Sequence, residues 1–332
     1  MAGYIARRVL LLIPVLFAIS MVSFVIIELP PGDYVSTLVA QMRQQGVELT
    51  PAEENALIRQ YGMDKSVAHR YGVWLQNIVT EGDFGRSYRW NKPVSEVLEE
   101  RVPLTIAISL FTTVFVFAVA VPIGIYSAVR KYSVFDYFFT FLGFIGLATP
   151  GFLLALVMLW IFYSVFGANM SGLFSQGYVD APWSVSKFVD LLSRIWFPMI
   201  IIGMSGTAGI IRVMRGNLLD ELQKQYVITA RAKGLSERPI LFRYPVRIAI
   251  NPIVSTIGWL LPAIVGGEVL VSIVLNLQTT GPVLLEAVTG QDLYLAASII
   301  LILSTLTVIG TLIADLLLAW LDPRIRFEKA AT

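Results

Sequence analysis

Six long apolar stretches, at about 9–27, 104–128, 137–166, 197–213, 253–274 and 294–320, constrain this chain more than any other feature. A hydrocarbon core takes roughly 20 mostly apolar residues in helix, because every backbone N–H and C=O must be satisfied within the segment. The composition agrees. Of 332 residues 56% are hydrophobic and 14% charged, too little polar surface to clothe a globule in water. The expected fold is an all-α polytopic membrane protein with six transmembrane helices. Within the third stretch, Thr149-Pro150-Gly151 is expected to kink the helix or break it into two packed pieces. Arg7-Arg8 precedes the first stretch as in a signal peptide, but the apolar run is long and no small-x-small cleavage site follows, so an uncleaved anchor is expected.

Orientation follows from the basic residues. With the N-terminus inside, Arg7 and Arg8, Arg130 and Lys131, the basic residues from Arg212 to Arg247, and Arg324, Arg326 and Lys329 all fall on the cytoplasmic side. The outer connection between the last two spans then holds no Lys or Arg, as the positive-inside bias requires. Residues 30–102 form a long outer stretch whose arginines carry little weight in that bias. It reads as a small helical subdomain. Thr50, Pro51 and Glu53 stand where an N-cap, a first helical residue and the third position of a capping box belong. Tyr71, Trp74, Leu75 and Ile78 recur on one helix face and are expected to pack against the outer ends of the spans.

Several chemistries are excluded. There is no cysteine, hence no disulfide or thiolate site, and the one histidine, His69, beside Arg70, reads as a solvated surface residue. No Gly-x-x-x-x-Gly-Lys-Ser/Thr run is present, so the chain lacks the usual cradle for nucleotide phosphates. Glu99-Glu100 precedes Arg101 at a span entrance and reads as a wet membrane boundary. Basic residues lie at span ends, which argues against nucleic acid as a partner. Inside the spans, Glu268 and Asp315 are the polar residues of interest. Asp315 lies near the cytoplasmic edge; Glu268 either faces the solute pathway or bonds a neighbouring helix.

Between the fourth and fifth spans runs Tyr226-Val227-Ile228-Thr229-Ala230-Arg231-Ala232-Lys233-Gly234-Leu235. Tyr226, Ala230 and Gly234 are four apart, so in a helix they share a face that another backbone can approach, and Gly234 can end the helix in a left-handed conformation. Arg231, Lys233, Arg238 and Arg243 can meet acidic groups of a partner or lipid headgroups. From the residues alone, a partner dock and a basic interfacial loop are both open.

This segment, with Arg247-Ile248-Ala249-Ile250-Asn251-Pro252 after it, resembles the cytoplasmic coupling loop of ABC importer permeases of the dipeptide and oligopeptide subfamily. The resemblance extends along the chain through Arg7-Arg8 with Ile13-Pro14-Val15, Pro31-Gly32-Asp33, Tyr61-Gly62-Met63-Asp64, Gly82-Asp83-Phe84-Gly85-Arg86-Ser87, Pro93-Val94, Arg101-Val102-Pro103-Leu104-Thr105 and Leu321-Asp322-Pro323-Arg324-Ile325-Arg326. Two positions depart from it. Ile228-Thr229-Ala230 stands where the wider superfamily has Glu-Ala-Ala, and Leu277-Gln278-Thr279-Thr280-Gly281-Pro282 stands where peptide permeases commonly have a Pro-Gly-x-Gly turn.

The resemblance implies a type I ABC importer permease fold in a bacterial inner membrane, with both termini cytoplasmic. The chain then divides into 1–29, with the first helix; 30–102, an external helical subdomain between helices 1 and 2; and 103–332, the permease core, including a coupling loop at 214–252. It implies a non-catalytic subunit that binds no cofactor, working with a second homologous permease, two ATPase subunits that hold ATP and Mg, an external solute-binding protein and membrane lipid. Tyr226, Thr229, Ala230, Arg231, Ala232, Lys233, Gly234 and Leu235 would contact the ATPase, and Glu268 is the pathway candidate. Peptides or similarly sized oligomeric solutes are the implied cargo, with oligosaccharides or opines as the alternative. An ion-coupled secondary transporter is the competing class; it would carry paired intramembrane charges and inverted repeats, and no convincing repeat is visible.

Overall fold

In the computed structural model the described residues are 2–29, 32–257 and 269–321, with side chains described between 10 and 318. The helices are α1 (Ala2–Glu28), α2 (Tyr34–Gln44), α3 (Pro51–Gln60), α4 (Val67–Glu81), α5 (Val94–Val129), α6 (Val134–Ala148), α7 (Gly151–Phe166), α8 (Val185–Leu222), α9 (Gln225–Ala232), α10 (Glu237–Arg243), α11 (Pro245–Ala249), α12 (Asn251–Ser255), α13 (Thr280–Thr289) and α14 (Leu293–Leu321). They divide between two compact units, one of Met1–Thr105 with Thr279–Val308, the other of Ile106–Gln278 with Ile309–Thr332.

Among the described residues four helices are long and apolar enough to cross a membrane: Leu10–Glu28, Val94–Val129, Val185–Leu222 and Leu293–Leu318. A fifth crossing is available if α6 and α7 count as one span, and these two meet at 110°. The break falls at Thr149-Pro150, as expected from a proline whose ring and missing N–H cannot continue the helix. The sequence reading's fifth stretch, 253–274, falls largely on residues 258–268, outside the described residues. Helices α5 and α8 run well past the apolar segments assigned to them. At 1.5 Å per residue, α8 is roughly 57 Å long, nearly twice a hydrocarbon core. Its ends carry the charges, with Lys187, Asp190 and Arg194 before the apolar middle and Arg212, Arg215, Asp220 and Glu221 after it.

In the first unit, Thr50 accepts the Glu53 N–H while Glu53 accepts the Thr50 N–H, the reciprocal cap read from the sequence. Trp74 is buried with Phe24 of α1 and with Leu293 and Ala297 of α14, and Tyr71, Leu75 and Ile78 pack around them. The apolar face of α4 is therefore covered by span ends. His69 is exposed, whereas its neighbour Arg70 is buried in a bidentate pair with Glu28, at 2.6 and 2.7 Å. The Gly82–Ser87 motif has a structural role. Asp292, fully buried at the start of α14, accepts from Ser87 Oγ, from the Arg89 N–H at 3.1 Å and from the Leu295 N–H at 3.4 Å. Each is a charge-assisted bond, and together they satisfy the buried carboxylate.

In the second unit, Val116, Ala120 and Ala128 of α5 pack with Ile210, Ile211, Met214 and Leu218 of α8 and with Val246, Ala249 and Ile253 of the short helices that follow. Small residues set the spacing. A Cβ on Gly146 of α6 would stand 2.8 Å from Met204 of α8, so α6 lies closer to α8 than any larger residue allows.

Candidate functional site

The stretch 226–235 folds as α9 and a turn, directly after α8, with Gln223 and Lys224 as the link. Eight residues make a weak helix on their own. This one is held at both ends. Its C-terminus closes with the Gly234 N–H on the Arg231 carbonyl at 2.9 Å and the Leu235 N–H on the Ala230 carbonyl at 3.3 Å, a Schellman turn that consumes two orphan carbonyls. Gly234 has φ +76°, where an L side chain is strained. Because the helix ends at Ala232, Gly234 leaves the helical track. Tyr226 and Ala230 share a face; Gly234 does not extend it but turns the chain away from it.

Side chains fasten the rest. Tyr226 donates its hydroxyl to Glu221 of α8 at 2.6 Å, and its ring meets Tyr244 edge-on at 6.3 Å. Arg231 donates from Nε and Nη2 to the two carboxylate oxygens of Glu237 of α10, at 2.8 and 3.1 Å. Val227 is fully buried, as is Ile240 of α10. Thr229 bonds the Gln225 carbonyl in its own helix at 2.8 Å. Arg243 lies over the ring of Tyr244, while Ala232, Lys233 and Arg238 are exposed.

The electrostatics follow from these ties. The Arg231 guanidinium holds the Glu237 carboxyl below its ordinary range, and Glu237 raises Arg231 in turn. Partial burial and the adjacent Glu221 carboxylate push the Tyr226 hydroxyl upward, so it stays a neutral donor.

The structure thus brings 226–235 together as one clasped element but gives Arg231 a partner inside the chain. Glu221, Glu237 and Tyr244 were absent from the sequence reading. Arg231 and Glu237 are six apart across a glycine turn, a spacing that no helical period selects. Ile228 and Phe242 were also outside the expected ATPase-facing set, which includes Leu235. Ile228, Leu235 and Phe242 are about half exposed or more, at 49%, 54% and 59%. Residues 247–252 serve a different end. Val246 and Ala249 are buried against α8, and Asn217 of α8 donates to the Ala249 carbonyl at 3.4 Å, anchoring the return of the chain. Glu268 lies outside the described residues.

Comparison with known proteins fixes the family. Residues 120–327 match the binding-protein-dependent transport system inner membrane component, and residues 1–109 match the N-terminal part of the same kind of membrane component. The oligopeptide transport system permease protein AppB of Bacillus subtilis is 34% identical over 98% of this chain and 100% of its own length. The dipeptide transport system permease protein DppB of Alkalihalophilus pseudofirmus is 30% identical over 98% and 100%. The peptidoglycan transport system permease protein YejB of Agrobacterium fabrum is 28% identical over 99% of each chain. An apolar helical chain that carries a clasped polar element below its longest helix, and matches these relatives from end to end, belongs to the binding-protein-dependent inner membrane component family and is a membrane permease subunit of an ABC importer.

Proposed function

We propose that this subunit forms, with a second homologous permease, the pathway by which peptides enter a bacterial cell, and that α9 is the lever through which two ATPase subunits drive it. The carrying observation is the construction of α9. A short helix clasped to the longest helix of the chain and flanked by exposed Ile228, Leu235 and Phe242 fits a partner's groove better than a loop that only satisfies membrane charge. Tyr226, Thr229, Ala230, Arg231, Ala232, Lys233, Gly234 and Leu235 form the ATPase-facing set, and ATP with Mg is held by the partners. An external solute-binding protein delivers the cargo.

Six crossings with both termini cytoplasmic give the topology, with 30–102 as the external subdomain and 214–252 as the inner coupling loop. Cross-loop contacts support this order. Gly172 donates to the Leu275 carbonyl at 2.7 Å, joining the outer connections after the third and fifth crossings. Ser87 and Asp292 join two outer connections, and Asp136 and Arg215 join two inner segments. Peptide cargo rests on the relatives' names; oligosaccharides or opines are the second reading, motivated by the 277–282 departure. Glu268 is the pathway candidate.

The test is co-expression with the neighbouring membrane and ATPase genes. The wild-type complex retains its ATPase and takes up labelled peptide in ATP-loaded vesicles, while Gly234→Arg inserts in the membrane but purifies without the ATPase. Uptake driven by an ion gradient without an ATPase would overturn the proposal.

A further inference from the structure

Asp136 is buried at the start of α6, and both its oxygens are engaged by Arg215 of α8, each at 2.9 Å. The turn before it is built around the same carboxylate. The Tyr132 N–H donates to Asp136 Oδ2 at 2.9 Å, and Tyr132 has φ +66°, a conformation an aromatic residue holds only when its surroundings enforce it. Ser133 caps α6 by accepting the Asp136 N–H at 3.2 Å. Arg215 stands six residues, about 9 Å along the axis, above Glu221, which holds Tyr226 of α9. A set of side-chain links therefore runs from α9 through the lower end of α8 to α6.

Beyond α6 the third apolar stretch breaks. Helices α6 and α7 meet at 110°, and the described residues around that joint line an open, mostly apolar pocket of about 420 Å³, Gly146, Thr149, Gly151, Gly203 and Met204 among them. Below the joint, Gly146 lets α6 pack closely against Met204 of α8. Helices α8 and α6 are thus joined by the ion pair at one end and by the glycine contact further along.

We propose that Asp136 and Arg215 are a positioning pair for coupled transport. They carry the motion of α9 to the broken span, so that ATP-driven closure beneath the membrane bends α6 against α7. The pair touches neither nucleotide nor cargo. This rests on α9 being the ATPase dock, and it adds a prediction that docking alone does not make. Loss of the pair leaves the ATPase bound and hydrolysing but disconnects it from the span.

The chain has no cysteine, so an introduced pair is its only labelling site. In the co-expressed complex, spin labels at Trp160→Cys in α7 and Leu285→Cys in α13, both exposed, report the distance between the broken span and the other unit. Trapping with ATP and orthovanadate shifts that distance in the parent. In Asp136→Asn and in Arg215→Lys, which keeps the charge but loses the planar fork, ATPase co-purification and hydrolysis persist while the shift is lost. Exchanging the two charges, Asp136→Arg with Arg215→Asp, restores part of it. An unchanged shift in both single variants overturns the proposal. So does failure of all three to assemble, which reduces the pair to a fold element. If the parent complex binds no ATPase, the docking reading fails and takes this one with it.

Discussion

Two arginine–carboxylate forks in the second unit have nearly the same geometry and opposite surroundings. Arg215 meets Asp136 at 2.9 and 2.9 Å with the carboxylate buried; Arg231 meets Glu237 at 2.8 and 3.1 Å with both side chains largely in solvent. Distance alone would rate them equal. What separates them is the cost of losing a partner. Removing one member of a buried pair strands a desolvated charge, whereas water takes the place of either member of an exposed pair. The buried fork is therefore suited to carry force between helices. The exposed one is suited to shape a loop.

This contrast orders the tests. Asp136→Ala is the most damaging single change, costing about 3 kcal/mol because Arg215 and the Tyr132 N–H both lose their acceptor. Thermal unfolding of the detergent-solubilised protein measures it, and a loss no larger than that of an exposed substitution would break the comparison. Asp292→Ala in the first unit extends the rule to a buried carboxylate without an ion-pair partner among its described bonds. The hydroxyl and two N–H groups it leaves predict a loss of about 2 kcal/mol. Gly234→Ala comes next. Forcing a Cβ into φ +76° costs about 1 kcal/mol locally, read as faster amide exchange in 230–235 with little change in global unfolding.

The smallest effect belongs to Glu237→Gln, which leaves the unfolding midpoint unchanged but loosens the α9 turn. The sign of its pH dependence is fixed by Arg231. Since the folded carboxyl is held below its ordinary value, the tie persists above that range and is lost only as pH falls through the lowered value. Wild-type amide protection at Gly234 should therefore fall at acid pH. In Glu237→Gln it should be low throughout and insensitive to pH. High salt should mimic the substitution in the exposed fork and spare the buried one.

Much of the fold could be read from the chain because bilayer physics acts on composition. The first, second, fourth and sixth apolar stretches lie within long helices, and Pro150 located the break in the third. Local chemistry was equally readable at Thr50, Pro51 and Glu53, where the cap is written in three residue types. The α4 face was readable from its period. The pairings were not. Asp136 and Arg215 are 79 residues apart, Ser87 and Asp292 are 205 apart, and no local pattern selects such partners. The lengths of α5 and α8 were underestimated for a related reason, since an apolar window ends where charge begins while a helix continues into water. At α9 the sequence reading allowed a helix but misjudged its extent. A period of four assumes the helix reaches Gly234, and the glycine's own backbone freedom ends it sooner.

The claim that α9 is where the ATPase pushes can be tested at a single position. A photo-crosslinking residue at Ile228, half exposed on α9 and free of the clasping bonds, should capture the ATPase subunit in membranes containing the complex, and should cease to do so in Gly234→Arg. Capture of lipid or of the other permease alone, with the ATPase still bound and hydrolysing, would contradict the account.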